Sequence, residues 1–329
     1  MRLKLTTYYQ WKCIPDFPEK DVFHSKEMFL VYESTPGYKP ILIIATDNGD
    51  PIARLFCTIH KTKKWIPAFL SNQCIIYGTN DFLDQTGLID SESVFGEMLE
   101  HLTREVCSKC FFIEFRNLSN SLFGYKYFRK NGYFPINWMR VRNSLHSIKN
   151  VEERYSSSRI RQIKKGLENG ATVKIAETYE EIHGFARMLK RNYSSHIRKT
   201  FPNKIFFQQI NEILVKSGRA KIFIVKYKEK IIGGSVCSYS GENASLWYSG
   251  GMHTTYAHQY PGVLAVWGAM KDAHRCGYRH IEFMDVGLPF QKNGYRNFVT
   301  LFGGKLSSTR RWFKFRWRWL NKLLIAAYV

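Results

Sequence analysis

One group of basic residues has the spacing expected of a phosphate-binding helix. Residues 156–158 are serines whose hydroxyls suit a helix N-terminus, and apolar side chains follow at helical spacing from Ile160 to Leu167. The basic residues of this helix are Arg159, Arg161, Lys164 and Lys165. Few acids are interleaved, so the pattern predicts a surface that faces an open groove and binds phosphate or pyrophosphate. A solvated charged face is the alternative interpretation.

The net charge also indicates an anionic partner. The chain has 49 Lys plus Arg against 27 Asp plus Glu, a formal net charge of +22. This excess is larger than solubility requires, since a net charge of about 2–8 is enough for a small domain. Nucleic acid, phospholipid headgroups and phosphorylated substrates are the partner classes that such a charge favours.

A second basic cluster closes the chain. Aromatic and basic residues alternate from Phe313 to Trp319, which is typical of a strand, whereas basic residues also recur at every fourth position, which is typical of a helix. The recurring basic residues are Arg310, Lys314, Arg318 and Lys322. We predict a closing strand that passes into a short terminal helix. Trp with Arg in such an end segment favours peripheral contact with an anionic membrane, and docking onto its own domain is the alternative.

The cysteines do not form a redox or metal motif. Cys107 and Cys110 have CxxC spacing, but they precede a predicted strand, whereas a redox CxxC opens a helix whose dipole lowers the thiol pKa. A zinc site would need a second ligand pair, which the sequence does not offer. The seven cysteines lack framework spacing, so we expect free thiols and no metal. With no signal peptide and no apolar run of about 18 residues, we expect a cytoplasmic protein.

Two blocks of the chain share the same order of residue types. Ile-Glu-Phe at 113–115 precedes Gly-Tyr-Lys-Tyr-Phe at 124–128, and Ile-Glu-Phe at 281–283 precedes Gly-Tyr-Arg-Asn-Phe at 294–298. Each block also follows a predicted hairpin and helix. One duplication at about half the chain length predicts two homologous domains. A coincidence between two amphipathic patterns is the alternative.

Residue periodicity assigns strands and helices to most of the chain. The predicted strands are 41–46, 51–60, 73–77, 111–116, 133–140, 171–176, 219–227, 231–240, 243–251, 279–284 and 304–315. The predicted helices are 91–107, 122–131, 156–169, 178–198, 204–217, 261–276 and 290–301. This mixture predicts an α+β fold. A polar stretch at 143–151 places the boundary between domains 1–147 and 148–329.

The order of these elements (hairpin, third strand, loop, helix, strand, helix, strand) resembles the GNAT acyltransferase fold. Its duplication, with two helices inserted between the first two strands of the second copy, resembles the FemAB-type and CelD-like tandem proteins. The residues that carry the resemblance are the basic helix and strand at 159–173, the helix entry at 260–267, and the closing block at 277–287 and 298–303. The resemblance implies tandem duplicated GNAT-like domains with mixed sheets flanked by helices.

In this family an acyl group moves from a thioester or an aminoacyl-tRNA ester to an amine. The resemblance therefore implies acyl-CoA or aminoacyl-tRNA as the donor. FemAB-type members build peptidoglycan cross-bridges, and a CelD-like branch is associated with exopolysaccharide. The implied acceptor is a phosphorylated or lipid-linked cell-envelope precursor at the inner membrane face. A degenerate scaffold that binds anionic membrane or RNA without catalysis is the alternative.

The donor loop departs from the usual pattern of the family. That pattern, [Gln/Arg]-x-x-Gly-x-[Gly/Ala], holds pyrophosphate on backbone amides at a helix N-terminus. The chain keeps Gln259 and Gly262, but Leu264 stands where the small residue belongs and Pro261 removes one amide. The first copy has no such motif at 81–90, so we expect that copy to be structural or acceptor-binding.

The resemblance also implies where the chemistry lies in the second copy. Members commonly carry Phe-Lys-x-x-Phe-Gly in the closing block, and Val299 replaces that lysine here. We expect Lys292 or Arg296 to supply the missing cation that stabilises a developing oxyanion. Asp285, at the end of a predicted strand, is the candidate base for the attacking amine. The residues expected to contact substrate are Tyr248, His253, Tyr260, Gly262 and Phe298.

Overall fold

The computed structural model describes residues 3–16, 19–61, 66–78, 81–82, 90–116, 120–146, 148–193 and 201–328. The strands are β1 (Leu3–Tyr8), β2 (Tyr38–Asp47), β3 (Asp50–Lys61), β4 (Asn72–Tyr77), β5 (Asp81–Phe82), β6 (Phe112–Arg116), β7 (Phe134–Ser144), β8 (Ala171–Ile175), β9 (Ala220–Tyr227), β10 (Lys230–Ser240), β11 (Asn243–Gly251), β12 (His280–Phe283) and β13 (Lys305–Phe315). The α-helices are α1 (Lys26–Glu33), α2 (Ala68–Ser71), α3 (Ser91–Val106), α4 (Tyr125–Lys130), α5 (Ser157–Glu168), α6 (Tyr179–Asn192), α7 (Lys204–Gln209), α8 (Pro261–Arg275), α9 (Gly294–Thr300) and α10 (Arg318–Tyr328).

Residue periodicity correctly predicts most of these elements. Each predicted strand has a counterpart, and the predicted closing strand and terminal helix are confirmed as β13 and α10. The helix predicted at 178–198 ends at Asn192, and residues 194–198 lie outside the described part of the chain. Periodicity does not reveal β1, β5, α1 or α2. β1 mixes Leu with Lys and Thr at the end of the strand order, and α1 is only 8 residues long.

The chain forms two compact units. Unit 1 comprises Met1–Trp138 and Ser308–Val329, and unit 2 comprises Met139–Ser307. The chain therefore passes from one unit to the other within β7 and within β13, rather than near residue 147. The reason is strand pairing, since β13 pairs with β6 in unit 1 and β7 pairs with β12 in unit 2. A polar stretch marks a loop, but it does not reveal which sheet the neighbouring strand joins.

Unit 1 has the strand order β1-β2-β3-β4-β6-β13, in which β4 and β6 are parallel. Helix α3 begins at Asp90, whose side chain accepts hydrogen bonds from the first-turn amides. This helix buries an apolar face that includes Phe95 and Leu99 against the sheet. The indole of Trp312 in β13 is fully buried and stacks on Phe128, with ring centroids 4.5 Å apart. The closing strand of the chain thus completes the core of unit 1.

Unit 2 has the strand order β8-β9-β10-β11-β12-β7, in which β11 and β12 are parallel. Helices cover both faces of its sheet. A Cβ atom on Gly233 would lie 2.7 Å from the Pro261 carbonyl of α8, and one on Gly234 would lie 2.7 Å from the Phe185 ring of α6. Successive strand residues point to opposite faces, so α8 and α6 lie on opposite sides of the sheet.

The two units correspond element by element, which supports the predicted duplication. Ile113 of β6 and Ile281 of β12 occupy the same place in the two strand orders, each on a strand parallel to its neighbour. Both hairpins also contain a register shift at the same place, and the extra residue is Ile52 in β3 and Ile232 in β10. A shared bulge of this kind is a feature of related strands rather than of chance periodicity.

The repeated glutamate of the two Ile-Glu-Phe blocks has a structural role. Glu114 is buried, and its carboxylate accepts a hydrogen bond of 2.8 Å from Arg311 of β13. Glu282 is half-buried and lies 3.5 Å from Arg142 and 3.8 Å from Arg140 of β7. In each unit the glutamate therefore pairs with arginine on the strand that completes the sheet. For the buried Glu114 such pairing is needed, because an unpaired buried charge costs about 3–5 kcal/mol.

Candidate functional site

The parallel pairing of β11 and β12 in unit 2 ends before β11 does, which leaves an opening at the carboxyl ends of the paired segments. Their parallel pairing ends at Leu246 and Phe283, whereas β11 continues to Gly251. Trp247 is the extra residue of a bulge in the register between β11 and β10. Bulges bend a strand and increase its twist, and residues 247–251 of β11 extend beyond Phe283, the last residue of β12. The sheet therefore opens at the carboxyl ends of these strands, which is where ligands bind in open α/β sheets.

The turn before α8 packs directly against this opening. A Cβ atom on Gly251 would lie 2.3 Å from the Gly262 amide nitrogen, a distance that real Cβ atoms do not show. Tyr260, the residue before α8, has a left-handed backbone with φ +46°. The N-terminus of α8 thus lies beside the last residues of β11, with the positive end of its dipole at the opening. Pro261 occupies the first helical position and offers no N–H group there.

Helix α9 adds aromatic side chains to the opening. The Tyr295 hydroxyl lies 3.3 Å from Ser249 Oγ of β11. The Phe298 ring lies 3.9 Å from where a Cβ atom on Gly262 would be. Burial raises the pKa of Tyr295 to about 12, so its phenol stays protonated at neutral pH. Tyr295 belongs to the repeated Gly-Tyr-[Lys/Arg]-x-Phe block, but only the structure places its hydroxyl at β11.

Asp285 follows β12 in a left-handed conformation with φ +67°, and its side chain is exposed. Aspartate adopts this region more readily than most residues. The loop that follows is held by Arg296, whose guanidinium donates hydrogen bonds to the carbonyl oxygens of Leu288, at 2.7 Å, and Gln291. These contacts make Arg296 a positioning residue of the loop, which differs from the oxyanion role expected for it. Lys292 is exposed on the same loop.

Only part of the basic helix α5 faces solvent. Arg159 is 5% exposed, and its guanidinium donates a 2.9 Å hydrogen bond to the Phe298 carbonyl. Burial lowers the pKa of Arg159 to about 10, which leaves it charged at neutral pH. The expectation that Arg159 faces an open groove is incorrect, because it lies one turn from the buried Ile163 on the inner side of the helix. The exposed basic residues are Arg161, Lys164 and Lys165.

Two further predicted contacts, Tyr248 and His253, have different surroundings. The Tyr248 ring lies 5.3 Å from that of Phe207 and 5.2 Å from that of Trp247, in an aromatic cluster beside α7. Tyr248 thus points to the face opposite Ser249, since neighbouring strand residues alternate. His253 is exposed, with its ring nitrogen Nδ1 3.4 Å from the Gly251 carbonyl.

A groove with a volume of about 770 Å3 borders the connection between β11 and α8. Met252 and Tyr256 of that connection line it together with α6 and the turn between β9 and β10. The charged lining residues are Arg187, Lys190, Arg191, Lys230, Glu180 and Glu229. The sequence shows the basic residues of α6, Arg187, Lys190 and Arg191. It does not show that they share a groove with Lys230, because Lys230 is distant from them in the chain.

The corresponding place in unit 1 holds a buried ion cluster. By strand register, Arg54 of β3 corresponds to Gly234 of β10. Arg54 is 0% exposed, and its guanidinium pairs with Glu19 at 3.0 Å and with Asp81 of β5. In unit 2 the absence of a side chain on Gly234 lets α6 pack against the strand. In unit 1 the Arg54 guanidinium and its two carboxylates fill the corresponding space. This arrangement favours a structural role for this part of unit 1.

Comparison with known families matches unit 2. Residues 156–292 match a family described as an acetyltransferase (GNAT) domain. The match begins at the N-cap of α5 and includes the opening, α8 and Asp285. No curated protein sequence matches the chain significantly.

Solved structures share the fold of the whole chain. The crystal structure of FemX has a TM-score of 0.62 and 14% identity, over 94% of this chain and 95% of FemX. A tandem GNAT protein from the clavulanic acid biosynthesis pathway has a TM-score of 0.59 and 10% identity, over 96% of this chain and 99% of that one. The C-terminal domain of a putative lysylphosphatidylglycerol synthetase from Agrobacterium fabrum has a TM-score of 0.56 and 10% identity, over 85% of each chain. The predicted tandem GNAT fold is therefore confirmed.

Proposed function

We propose that this chain, a tandem GNAT acyltransferase, moves an acyl or aminoacyl group from a thioester or a tRNA ester to an amine of a cell-envelope or surface-polysaccharide precursor. The observation that carries the proposal is the opening between β11 and β12, beside the α8 N-terminus. It lies within the residues that match the GNAT domain family. The name of one similar structure, the C-terminal domain of a putative lysylphosphatidylglycerol synthetase, makes aminoacyl transfer to a lipid-linked acceptor one candidate to test.

The donor is proposed to bind at this opening. The pairing of β11 with β12 ends at Leu246, so the edge of β11 at residues 249–251 is the proposed contact for an extended donor segment. The positive end of α8 attracts donor phosphate, with Tyr260 and Gly262 beside it. Because Pro261 supplies no amide, we expect weaker phosphate binding than a complete glycine-rich loop gives. Acyl-CoA and aminoacyl-tRNA both carry phosphate, and both are donors to test.

The transfer step requires a proton acceptor and a proton donor. The amine nitrogen attacks the carbonyl carbon, the C–N bond forms, and the C–S or C–O bond of the donor breaks. We assign Asp285 to accept the amine proton, since its carboxylate is exposed at the end of β12. We assign Tyr295 to donate a proton to the leaving thiolate or alkoxide, since its hydroxyl lies at the opening, 3.3 Å from Ser249 Oγ. Solvent then removes the proton from Asp285 and reprotonates Tyr295.

The acceptor is proposed to bind in the groove between α6 and the turn of β9 and β10. Arg187 and Lys190 lie about one helical turn apart on α6. Lys230, the first residue of β10, lines the same groove. Such cations suit a phosphorylated or lipid-linked headgroup. The apolar side chains of Met252 and Tyr256 in the same groove suit the uncharged part of the acceptor.

The experiment is a thermal-shift and transfer assay on the full chain with CoA thioesters and aminoacyl-tRNA. A donor that binds the folded state raises the melting temperature. Gly251→Ala is expected to abolish this shift, because the added Cβ atom displaces the α8 turn. Gly294→Ala, where a Cβ atom meets nothing within 4 Å, is the matched control. A chain that neither binds nor transfers from any of these donors overturns the proposal.

A binding protein without catalysis is the second candidate. Val299, which stands at the usual lysine position, is fully buried, and the guanidinium of Arg296 is engaged by loop carbonyls. Under this alternative the chain binds anionic membrane or RNA but moves no acyl group. Saturable binding with no product from any donor would select it over the transferase.

A further inference from the structure

We propose that helix α10 binds the surface of an anionic phospholipid membrane. The helix is amphipathic and contains no acidic residue from Arg318 to Tyr328. Its outward face carries Trp319 and Leu323, which are 64% and 57% exposed and lie one turn apart. Ala326 continues the same stripe toward the C-terminus. An exposed apolar stripe of this kind in a terminal helix calls for a partner that can bury it.

The basic residues of α10 lie beside this apolar stripe. Arg318 and Lys322 are both exposed and also lie one turn apart, next to Trp319 and Leu323. In an interfacial helix, Trp settles at the headgroup level and Lys or Arg contacts anionic lipid. The helix therefore has an apolar stripe for the membrane interface and cations for its headgroups.

Asn321 fixes which side of α10 faces outward. Its side chain accepts a 2.8 Å hydrogen bond from the Phe315 amide and donates a 2.8 Å bond to the Phe315 carbonyl. A further 3.2 Å bond reaches the carbonyl of Trp317. Asn321 is 8% exposed, so these bonds hold the helix by its inner side to the end of β13. These hydrogen bonds within unit 1 therefore fix the outward orientation of Trp319.

The basic residues of β13 within 310–322 have other partners, which corrects the prediction of one membrane-facing cluster at 310–322. Arg311 is 5% exposed and pairs with Glu114. The Lys314 ammonium donates a 2.6 Å hydrogen bond to the Asn131 carbonyl. The strand part of the cluster therefore docks on its own unit, and the exposed part is confined to α10.

A lipid surface fits these features better than other anionic or apolar partners. RNA would pair with Arg318 and Lys322 but would leave Leu323 without an apolar contact. A second copy of this chain carries the same net charge of +22, which opposes self-association through a basic helix. No helix among residues 3–328, outside the gaps noted above, is long and apolar enough to cross a membrane. Contact at the surface, rather than insertion across the bilayer, is therefore the binding mode inferred for α10.

The test is co-sedimentation of the full chain with phosphatidylcholine vesicles, with and without about one-third phosphatidylglycerol. The wild type should bind the anionic vesicles, and Trp319→Ala with Leu323→Ala should weaken that binding by about tenfold or more. Leu122→Ala is the matched control, because Leu122 is also in unit 1 and 63% exposed. Arg318→Glu with Lys322→Glu should have the same effect. Arg129→Glu with Lys130→Glu, an exposed pair on α4, makes the same charge change elsewhere.

Three results would overturn the inference. One is a wild type that does not bind anionic vesicles. Another is equal loss of binding in the α10 variants and in their matched controls. Such a result would show that binding depends on the general charge or apolar character of the surface rather than on α10. The last is vesicle binding that the α10 variants retain in full. All of these substitutions are at exposed positions, so melting temperatures close to that of the wild type are expected. The assay needs no donor or acceptor, so its outcome is independent of the proposed transferase activity.

Discussion

The guanidinium of Arg159 lies 4.3 Å from the ring centroid of Phe298 and donates a 2.9 Å hydrogen bond to the carbonyl of the same residue. A residue of the basic helix α5 is thereby attached to α9, whose aromatic side chains line the opening between β11 and β12. Arg159 therefore has a structural role at the site, whereas Arg161, Lys164 and Lys165 on the outer face of α5 are exposed to ligands.

Replacing Arg159 should therefore reduce stability. Arg159→Ala removes a cation–π contact and a charged hydrogen bond from a buried position, which should lower the free energy of unfolding by about 2 kcal/mol. Arg161→Ala, on the exposed face of the same helix, should change it by less than about 0.5 kcal/mol. Urea unfolding of both variants measures the difference, and equal effects would contradict the structural role of Arg159.

Asp285→Asn should reduce turnover by about a hundredfold while leaving donor binding nearly unchanged, because it removes the proposed proton acceptor without changing side-chain size. Single-turnover assays and thermal shifts with the active donor separate the two quantities. Glu168→Gln, an exposed carboxylate on α5, is the control and should keep full activity. If Asp285→Asn transfers at the wild-type rate, the base is a water chain or the substrate itself.

The exposed face of α5 should contribute to binding of a phosphate-bearing ligand. Arg161→Ala with Lys164→Ala should weaken binding of tRNA and flatten its dependence on salt, because fewer counterions are released. Fluorescence anisotropy over a range of salt concentrations measures this slope. Arg187→Ala with Lys190→Ala tests the groove beside α6 in the same way. An unchanged slope in the α5 variant would rule out its outer face as the phosphate site.

The contribution of Glu19 to the stability of unit 1 should decrease as the pH rises from acid to neutral, whereas burial lowers the pKa of His24 and His60, whose contributions change in the opposite direction. Burial, followed by the hydrogen bond with Glu27, raises the pKa of Glu19 from 4.5 to about 7. The folded chain therefore holds this proton more tightly than the unfolded chain, and the resulting stabilisation is lost as the pH rises through about 7. The contribution of Glu19 should be lost between about pH 5 and about pH 8, and the difference between the wild type and a Glu19 variant isolates it.

Glu19→Gln should remove this contribution, because glutamine resembles the protonated acid. Urea unfolding at both pH values is the measurement. Glu97→Gln, an exposed position on α3, is the control and should retain the dependence of the wild type. A Glu19→Gln variant whose stability changes across this window by the same amount as that of the wild type would contradict the role of Glu19.

The sequence alone determined most of the elements, the duplication and the tandem fold. Residue periodicity reports which side chains face a core, and that information is local. The repeated Ile-Glu-Phe blocks at 113–115 and 281–283 therefore located equivalent strands without any knowledge of packing. In both blocks the strand with Ile-Glu-Phe is followed after a short gap by the helix with Gly-Tyr-[Lys/Arg]-x-Phe, so the sequence also showed the order of these elements.

The tertiary structure decided which partner each of those faces meets. Strand β13 reads as the end of the second domain, yet it completes unit 1, because pairing with β6 depends on residues far away in the chain. Arg159 and Arg161 look equivalent in a basic helix, but only Arg159 turns inward to Phe298. Residue type and spacing show that a side chain is charged or apolar. Its surroundings depend on contacts between distant segments, and a local pattern does not encode those contacts.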